Sequence, residues 1–242
     1  MYFILKAVLF VLSFTACSFG QVLAPDSAFT RLARNQAVGL YEQTLKLQAH
    51  VYEGGEYINH DPRIKVHPYY ITDSLQVGSV VYNGIAYSGV RMLYDIVRYE
   101  VAIQPPEGGY RLRLRTDKIS AFSLSSHQFA RIVGDSAAGI RTGFYEIIYN
   151  GKVKALAKRL KTVYEDISSG AYRGEYLVKD RFVIQKDGGF YDVKSKRSVL
   201  DLFPDQGKEL RKYIRANKLK FTDEQREQTI ARLTQRYDEL TH

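Results

Sequence analysis

The amino-acid sequence predicts an α+β fold, in which a mostly antiparallel sheet forms a partly rolled meander between an N-terminal helix and C-terminal helices. Three observations lead to this prediction. Near the N-terminus and after residue 195, apolar residues recur at intervals of three and four, which is typical of amphipathic helices. From residue 50 to about 193, short runs rich in Val, Ile, Tyr and Phe alternate with Gly, Asn, Asp and Pro, which is typical of strands and turns. We expect about seven to ten strands in this region.

The first twenty residues, MYFILKAVLFVLSFTACSFG, have the pattern of a secretory signal peptide. A lone Lys6 precedes the apolar run Ala7–Phe14, and small residues precede Gln21. We therefore expect cleavage before Gln21, export to the periplasm or the extracellular space, and no transmembrane segment in the mature chain. A rival interpretation is cleavage before Cys17 in FTAC, which would acylate that cysteine and anchor the protein as a lipoprotein.

The mature chain is expected to form one domain from two segments. Residues 21–195 should form a β-rich domain that begins with a helix capped by Ser27. Residues 196–242 should form helices that pack on the same domain, because their apolar stripes need a sheet face to cover them. Within this segment TDEQ (222–225) has the pattern of a capping box. Cys17 is the single cysteine, so the folded domain has no disulfide, thiolate-bound zinc or catalytic thiol.

Asn-Gly and Asp-Gly pairs mark the expected hairpin corners. Such pairs occur in VVYNGIAY (80–87), IIYNGKVK (147–154) and FVIQKDGGFYDV (182–193), and YEGGEY (52–57) is a looser version. Both residues of Asn-Gly accept positive φ, which a two-residue hairpin requires. We therefore predict left-handed backbone at Gly84 and Gly151. The Y-x-G copies are unevenly spaced, which excludes a repeat protein.

Two segments bear on the orientation of the strands. In YRLRLR (110–115) the apolar Tyr110, Leu112 and Leu114 alternate with arginines, which predicts one buried and one solvated face. The segment KVKALAKRLKTVYEDI (152–167) fits both a helix and a strand. We prefer the strand for its first half, because it leaves an Asn-Gly turn.

Three parts of the sequence resemble a family of secreted proteins of Gram-negative bacteria that has no assigned activity. They are GSVVYNGIAYSGVRMLYDIVRYEV, then GFYEIIYNGKVKALAKR, then KRSVLDLF followed by KELRKYIRANKLKF. The resemblance covers most of the mature chain. It implies a location in the cell envelope, and it implies no functional residues.

The chain is basic, and one run concentrates the charge. The formal net charge is +9, and removal of the signal peptide leaves 34 basic against 26 acidic residues, or +8. Export argues against nucleic acid and leaves an envelope protein or an anionic envelope polymer as the expected partner, although solubility alone also explains the charge. The candidate anion-binding residues are Lys152, Lys154, Lys158, Arg159 and Lys161. The alternative interpretation is a solvated edge strand whose lysines discourage aggregation.

The remaining motifs do not define a catalytic or metal site. His60, Asp61 and His67 lie close in sequence, with His50, Glu53 and Glu56 upstream, but their spacing matches no known metal-ligand pattern. We therefore expect ordinary hydrogen-bonding histidines or a surface loop, with no metal and no cofactor. His127 in SLSSHQF is no triad signature, and the sequence contains no G-x-S-x-G, no G-x-G-x-x-G and no Walker motif.

The leading functional hypothesis is a non-catalytic envelope protein that binds a partner or an anionic ligand. The alternative is an envelope hydrolase with a carboxylate or histidine site, and its candidate carboxylates are Asp95, Glu100, Glu146, Glu165 and Asp166. Converging acidic or histidine side chains in a pocket would favour the hydrolase. The sequence carries no indication of oligomeric state.

Overall fold

A computed structural model describes residues 50–134, 139–168 and 170–241, together with Arg34 and Gln36. The chain divides into two compact units, Met1–Leu45 and Lys46–His242, and the elements below belong to the second unit. The expected signal peptide lies outside the described residues. So does the helix expected from Ser27, apart from Arg34 and Gln36.

Thirteen strands and three α-helices lie between residues 50 and 241 of the described chain. The strands are β1 Gly55–Glu56, β2 Gln76–Tyr82, β3 Ile85–Asp95, β4 Glu100–Gln104, β5 Leu112–Arg113, β6 Ile119–Leu124, β7 His127–Ile132, β8 Gly143–Asn150, β9 Lys154–Lys158, β10 Lys161–Asp166, β11 Arg173–Val178, β12 Arg181–Lys186 and β13 Gly189–Val193. The helices are α1 Lys196–Leu202, α2 Gly207–Ala216 and α3 Arg226–Thr241. Among the described residues, no helix is long and apolar enough to cross a membrane.

Eleven strands form one sheet in the order β1-β5-β4-β3-β2-β6-β7-β8-β9-β12-β13, and β10 pairs with β11 in a separate two-stranded sheet. Every pairing between these described strands is antiparallel. The predictions of a mostly antiparallel sheet and of C-terminal helices are therefore confirmed. There are more strands than expected, partly because β1 and β5 contain only two residues each.

The large sheet rolls around a first core made by β2 to β8. The rings of Tyr94 on β3 and Phe144 on β8 lie 5.9 Å apart, although four strand-to-strand steps separate the two strands. In a flat sheet four steps would place them about 19 Å apart. Phe122 and Phe129 fill the space between them, and both rings contact Tyr94. The roll thus allows one face of the sheet to bury itself.

A second core lies where the helices cover the end of the same sheet. Alternate residues of β9 and β12 face the helices, with Ala157 and Ile184 fully buried. From the helices Val199, Leu210 and Ile230 pack against them, each with no exposed surface. The amphipathic stripes predicted from the sequence therefore find the sheet face that they require.

Two of the predicted hairpin corners are confirmed. Asn83 and Gly84 have φ angles of 51° and 78°, and Asp187 and Gly188 have φ angles of 49° and 78°. These left-handed pairs close the two-residue turns between β2 and β3 and between β12 and β13. The segment YEGGEY is not a hairpin, because it consists of a short 3-10 turn followed by β1.

The prediction for Gly151 is wrong, because this glycine does not adopt positive φ. Gly151 instead allows a carboxylate to approach, since a Cβ atom there would lie 2.0 Å from Oδ2 of Asp238 on α3. Asp238 accepts hydrogen bonds from the Tyr149 hydroxyl at 2.9 Å and from the backbone N–H groups of Lys152 and Val153. A helix residue thus holds the turn that joins β8 to β9.

The structure shows the conformation of residues 152–167 and the burial of residues 110–115. Residues 152–167 contain β9 and β10, so the strand interpretation is confirmed and the helical one is wrong. Leu112 and Leu114 are buried as predicted, whereas Tyr110 is 56% exposed. The alternation of buried and solvated residues therefore holds for residues 111–115 and does not extend to Tyr110.

Candidate functional site

The basic run predicted from the sequence does not form a solvated edge. Its strand, β9, pairs with β8 on one side and β12 on the other, so the edge-strand interpretation is wrong. Lys152 is exposed in the preceding turn, whereas Lys158 and Arg159 are buried at the far end of the strand. Lys154 and Lys158 share a face of β9 but lie about 13 Å apart along it. The five residues therefore do not form one exposed basic stripe.

Arg159 forms ion pairs with carboxylates of the protein. Its Nε atom donates to Glu146 at 2.5 Å, and its terminal nitrogens donate to Asp180 at 2.7 Å and to Glu227 at 2.6 and 2.8 Å. Burial lowers the pKa of the guanidinium, but the hydrogen bonds to Glu227 and Glu146 outweigh it and hold the pKa above its usual value. Glu146 lies on β8 between Phe144 of the first core and Ile148, which packs on the second. Arg159 therefore neutralises buried charge where the two cores meet.

A cleft with a volume of about 760 Å³ lies at one end of the sheet. Its walls come from the start of β8, the end of β9, the start of β12 and the end of β13, with Tyr99 from the β3–β4 turn. Neighbouring antiparallel strands place the end of one beside the start of the next, so these four segments converge. Six basic and two acidic side chains line it: Arg141, Lys158, Lys179, Arg181, Lys194 and Arg226, with Asp180 and Asp192.

Both acidic residues of the cleft are already paired. Asp180 accepts from Arg159, and Asp192 pairs with Arg181 at 3.1 Å and with Lys194 at 3.6 Å. Within the described part of the chain, three cations of the cleft have no carboxylate partner, namely Arg141, Lys158 and Lys179. Among the described residues that line it, the cleft therefore has more positive than negative charge.

Lys158 occupies the wall of this cleft with only 6% of its surface exposed. Its ammonium makes long hydrogen bonds to the carbonyl oxygens of Arg141 at 3.4 Å and Thr142 at 3.3 Å. It also lies 5.1 Å from the ring centre of Tyr145 and 5.5 Å from that of Tyr99. Burial, and then the charges of Arg141 and Arg181, lower the pKa of Lys158 to about 8. Burial of the amine is the main cause of this shift, and the two neighbouring guanidinium charges act in the same direction.

Two histidines form carboxylate pairs that are distant in sequence. His60 Nε2 lies 2.6 Å from the buried carboxylate of Asp95, which also accepts from the Tyr57 hydroxyl at 2.8 Å. The other nitrogen of His60 hydrogen-bonds with the Tyr176 hydroxyl at 2.9 Å. Both ring nitrogens are thus committed to the protein. His60 ties the β10–β11 hairpin to β3, which is the hydrogen-bonding role expected from the sequence.

The second pair joins His127 to Glu146, with Nδ1 and Oε1 separated by 2.5 Å. The Tyr70 hydroxyl lies 3.0 Å from the same ring nitrogen and donates to Glu146 at 2.9 Å. The His127 side chain is 32% exposed, and its Nε2 atom makes no hydrogen bond to any described residue. The described residues contain no group of three or more histidine, cysteine or acidic side chains that could hold a metal ion.

Of the cations in the cleft, the sequence indicated Lys158 and not the others. Arg141 precedes β8, and Lys179 and Arg181 lie at the turn that enters β12, so no contiguous run signals their convergence. The signal in the sequence was the KDR triplet at 179–181, where Asp180 is one of three carboxylates that pair with Arg159. Recognising it required knowledge that β9 and β12 are neighbours.

Comparisons with protein-family models, with curated proteins and with solved structures find no match for this chain. The resemblance to a secreted Gram-negative family stays a prediction. The function is therefore inferred from the geometry and charge of the cleft.

Proposed function

We propose that the protein is a non-catalytic protein of the cell envelope that binds an anionic ligand in the cleft at the end of β9. The observation that carries this proposal is the convergence of Arg141, Lys158 and Lys179 without a carboxylate partner among the described residues. Clustered cations of this kind raise the local concentration of anions and favour their binding. The expected anionic partner is retained from the sequence analysis, and its site moves from the exposed part of the basic run to the cleft that contains Lys158.

The dimensions of the cleft favour a small ligand or a single charged group of a larger one. Small-molecule sites usually occupy about 300 to 1,000 Å³, and the volume here is about 760 Å³. Arginine presents a planar fork that suits carboxylate and phosphate, whereas lysine acts as a compact point charge. Two or more negative charges on the ligand would match the three unpaired cations.

The envelope location is proposed from the N-terminal sequence. The apolar run after Lys6 and the small residues before Gln21 support export. A basic protein in that compartment meets anionic polymers and small anionic solutes, and the cleft supplies a site for such groups.

A binding measurement on purified mature protein tests the proposed function. Isothermal titration calorimetry with inorganic pyrophosphate and with citrate should show saturable binding that weakens as the salt concentration rises. Salt screens the attraction between the ligand and the cations of the cleft, and the Debye length at 0.15 M salt is about 8 Å. The double variant Arg141→Gln/Lys179→Gln should raise the Kd by at least about tenfold, or ~1.4 kcal/mol. The matched control is Lys152→Gln/Lys154→Gln, which removes the same charge outside the cleft and should bind like wild type.

Two results would refute the proposal. One is the absence of saturable binding for both anions at low salt. The other is an equal loss of affinity in the control and in the cleft variant, which would indicate attraction to net charge alone. Circular dichroism and thermal unfolding of each variant verify that the fold is retained.

A hydrolase is the second candidate, and the His127–Glu146 pair is the observation that favours it. A carboxylate orients one ring nitrogen of His127, and the other nitrogen makes no hydrogen bond to a described residue, which is an arrangement used in general-base catalysis. Hydrolysis of envelope glycans or esters that is lost in His127→Asn, with an unchanged thermal unfolding midpoint, would support this candidate. Activity that persists in that variant would exclude His127 as the base.

A further inference from the structure

Lys158 differs from the other lysines around the cleft in what surrounds its amine. Lys194 pairs with a carboxylate, and Lys179 lies at an exposed turn. The Lys158 amine instead contacts carbonyl oxygens and the faces of two tyrosine rings while it lines the cleft. Carbonyl oxygens accept a hydrogen bond from a neutral amine as well as from an ammonium. The environment therefore tolerates the uncharged, nucleophilic form.

We propose that Lys158 captures the anionic ligand covalently, as an imine with an aldehyde or ketone group of that ligand. The proposal rests on the proposed function, and it narrows the ligand to small anions that also carry a reactive carbonyl group. Amines become nucleophiles when they are desolvated or lie beside other cations, and Lys158 meets both conditions. With a pKa of about 8, about half of its amines are neutral at pH 8.

The chemical step is a condensation that needs no oxidant or reductant. The nitrogen lone pair of Lys158 attacks the carbonyl carbon, and the carbonyl π electrons move to oxygen, which takes up a proton. That oxygen then leaves as water, and a C=N bond remains. The two hydrogens of the water balance the two that the neutral amine nitrogen has lost. Protonation of the imine gives a cation, and the anionic group of the ligand lies beside it.

The neighbours of Lys158 can orient such a ligand. Arg141 lines the same cleft as Lys158, and its carbonyl oxygen contacts the Lys158 amine, so an anionic group held in the cleft by Arg141 can lie near the Lys158 nitrogen. Holding the two reacting groups together raises their effective concentration. Selectivity for Lys158 over exposed lysines should therefore depend on the anionic group of the probe.

Reductive trapping tests the proposal on the mature protein. Pyridoxal 5′-phosphate and glyoxylate carry the required anion and carbonyl, and sodium borohydride converts an imine into a stable secondary amine. Peptide mapping by mass spectrometry should locate the adduct at Lys158, with an occupancy at least about tenfold above that of exposed Lys152. Inorganic pyrophosphate in excess should suppress it. Lys158→Arg, which retains the charge, should remove it, and Arg141→Gln should reduce it.

Lys161 provides an internal control. Lys161 is half-buried, and its amine donates to the carbonyl oxygens of His67 and Tyr69. Burial lowers its pKa as well, but Lys161 does not line the cleft. Adducts at Lys161 equal to those at Lys158 would show that burial alone explains the labelling and would overturn the proposal.

The titrations with pyrophosphate separate this proposal from the proposed function. Pyrophosphate binding without an adduct at Lys158 would overturn the imine and leave the anion-binding function in place. Failure of both measurements would overturn both. Equal total labelling of wild type and Lys158→Arg would also overturn the imine, because it would show reaction without a specific site.

Discussion

Replacing Arg159 by Met should destabilise the fold by about 3 to 5 kcal/mol, because it leaves buried carboxylate charge without its cation. The Glu146 side chain is almost fully buried, so the 2.5 Å pair between it and Arg159 carries most of this cost. Glu227 is 39% exposed, and the pairs with Glu227 and Asp180 should add less than about 1 kcal/mol each. For a domain of this size the loss corresponds to a fall in Tm of roughly 6 to 20 °C.

Urea unfolding at pH 7 measures this free energy, and two further variants identify its origin. Glu227→Gln is the matched control and should cost no more than about 1 kcal/mol, because water solvates what remains. Arg159→Met/Glu146→Gln should recover part of the loss, since it removes the stranded charge together with its partner.

Two outcomes would refute this account of Arg159. A loss below about 1 kcal/mol in Arg159→Met would mean that water reaches Glu146. A double variant no more stable than the single one would mean that packing of the arginine side chain, rather than its charge, holds the two cores together.

Three further predictions concern pH, glycine and processing. Between pH 8 and 10.5 the folded state binds fewer protons at Lys158 than the unfolded state does, so the penalty of the buried charge is full below pH 8 and is relieved above it. The urea midpoint of wild type should therefore rise relative to that of Lys158→Met between pH 7 and 10. A constant difference between the two midpoints would contradict the shift. Gly84→Val should lower the free energy of unfolding by about 1 to 3 kcal/mol through strain at φ 78°. Gly151→Val should lower it further, because the valine side chain would meet the Asp238 carboxylate on α3. Equal thermal midpoints for the two variants would show that α3 moves to make room for the side chain. Mass spectrometry of native protein should find Gln21 at the N-terminus, whereas an acylated Cys17 would place the protein on a membrane.

The sequence predicted those parts of the fold that local chemistry determines. The left-handed pairs Asn83-Gly84 and Asp187-Gly188 close hairpins because few other residues accept positive φ. The apolar stripes of the C-terminal helices were visible as a period of three and four. Gly151 looked identical to Gly84 in sequence, yet its role depends on Asp238, which lies far along the chain.

The cleft could not be predicted because it depends on which strands are neighbours. The β10–β11 hairpin interrupts the chain between β9 and β12, so the pairing that buries β9 skips two strands. Without that pairing the lysines of β9 resemble the solvated edge of a sheet. Other contacts between residues distant in sequence bring His60 to Asp95 and His127 to Glu146, and no local spacing could indicate them.

Because β8 contributes Phe144 to the rolled core and Ile148 to the helix-covered core, neither core can open without exposing the other. Its backbone amides, and those of β9 beside it, should therefore exchange with solvent deuterium only when the whole unit unfolds. The β10–β11 hairpin pairs with no other described strand, and its amides should exchange through a smaller opening that leaves both cores intact. The last residues of β9 flank the cleft, so an anion bound there would slow exchange in both cores at once by stabilising the folded state.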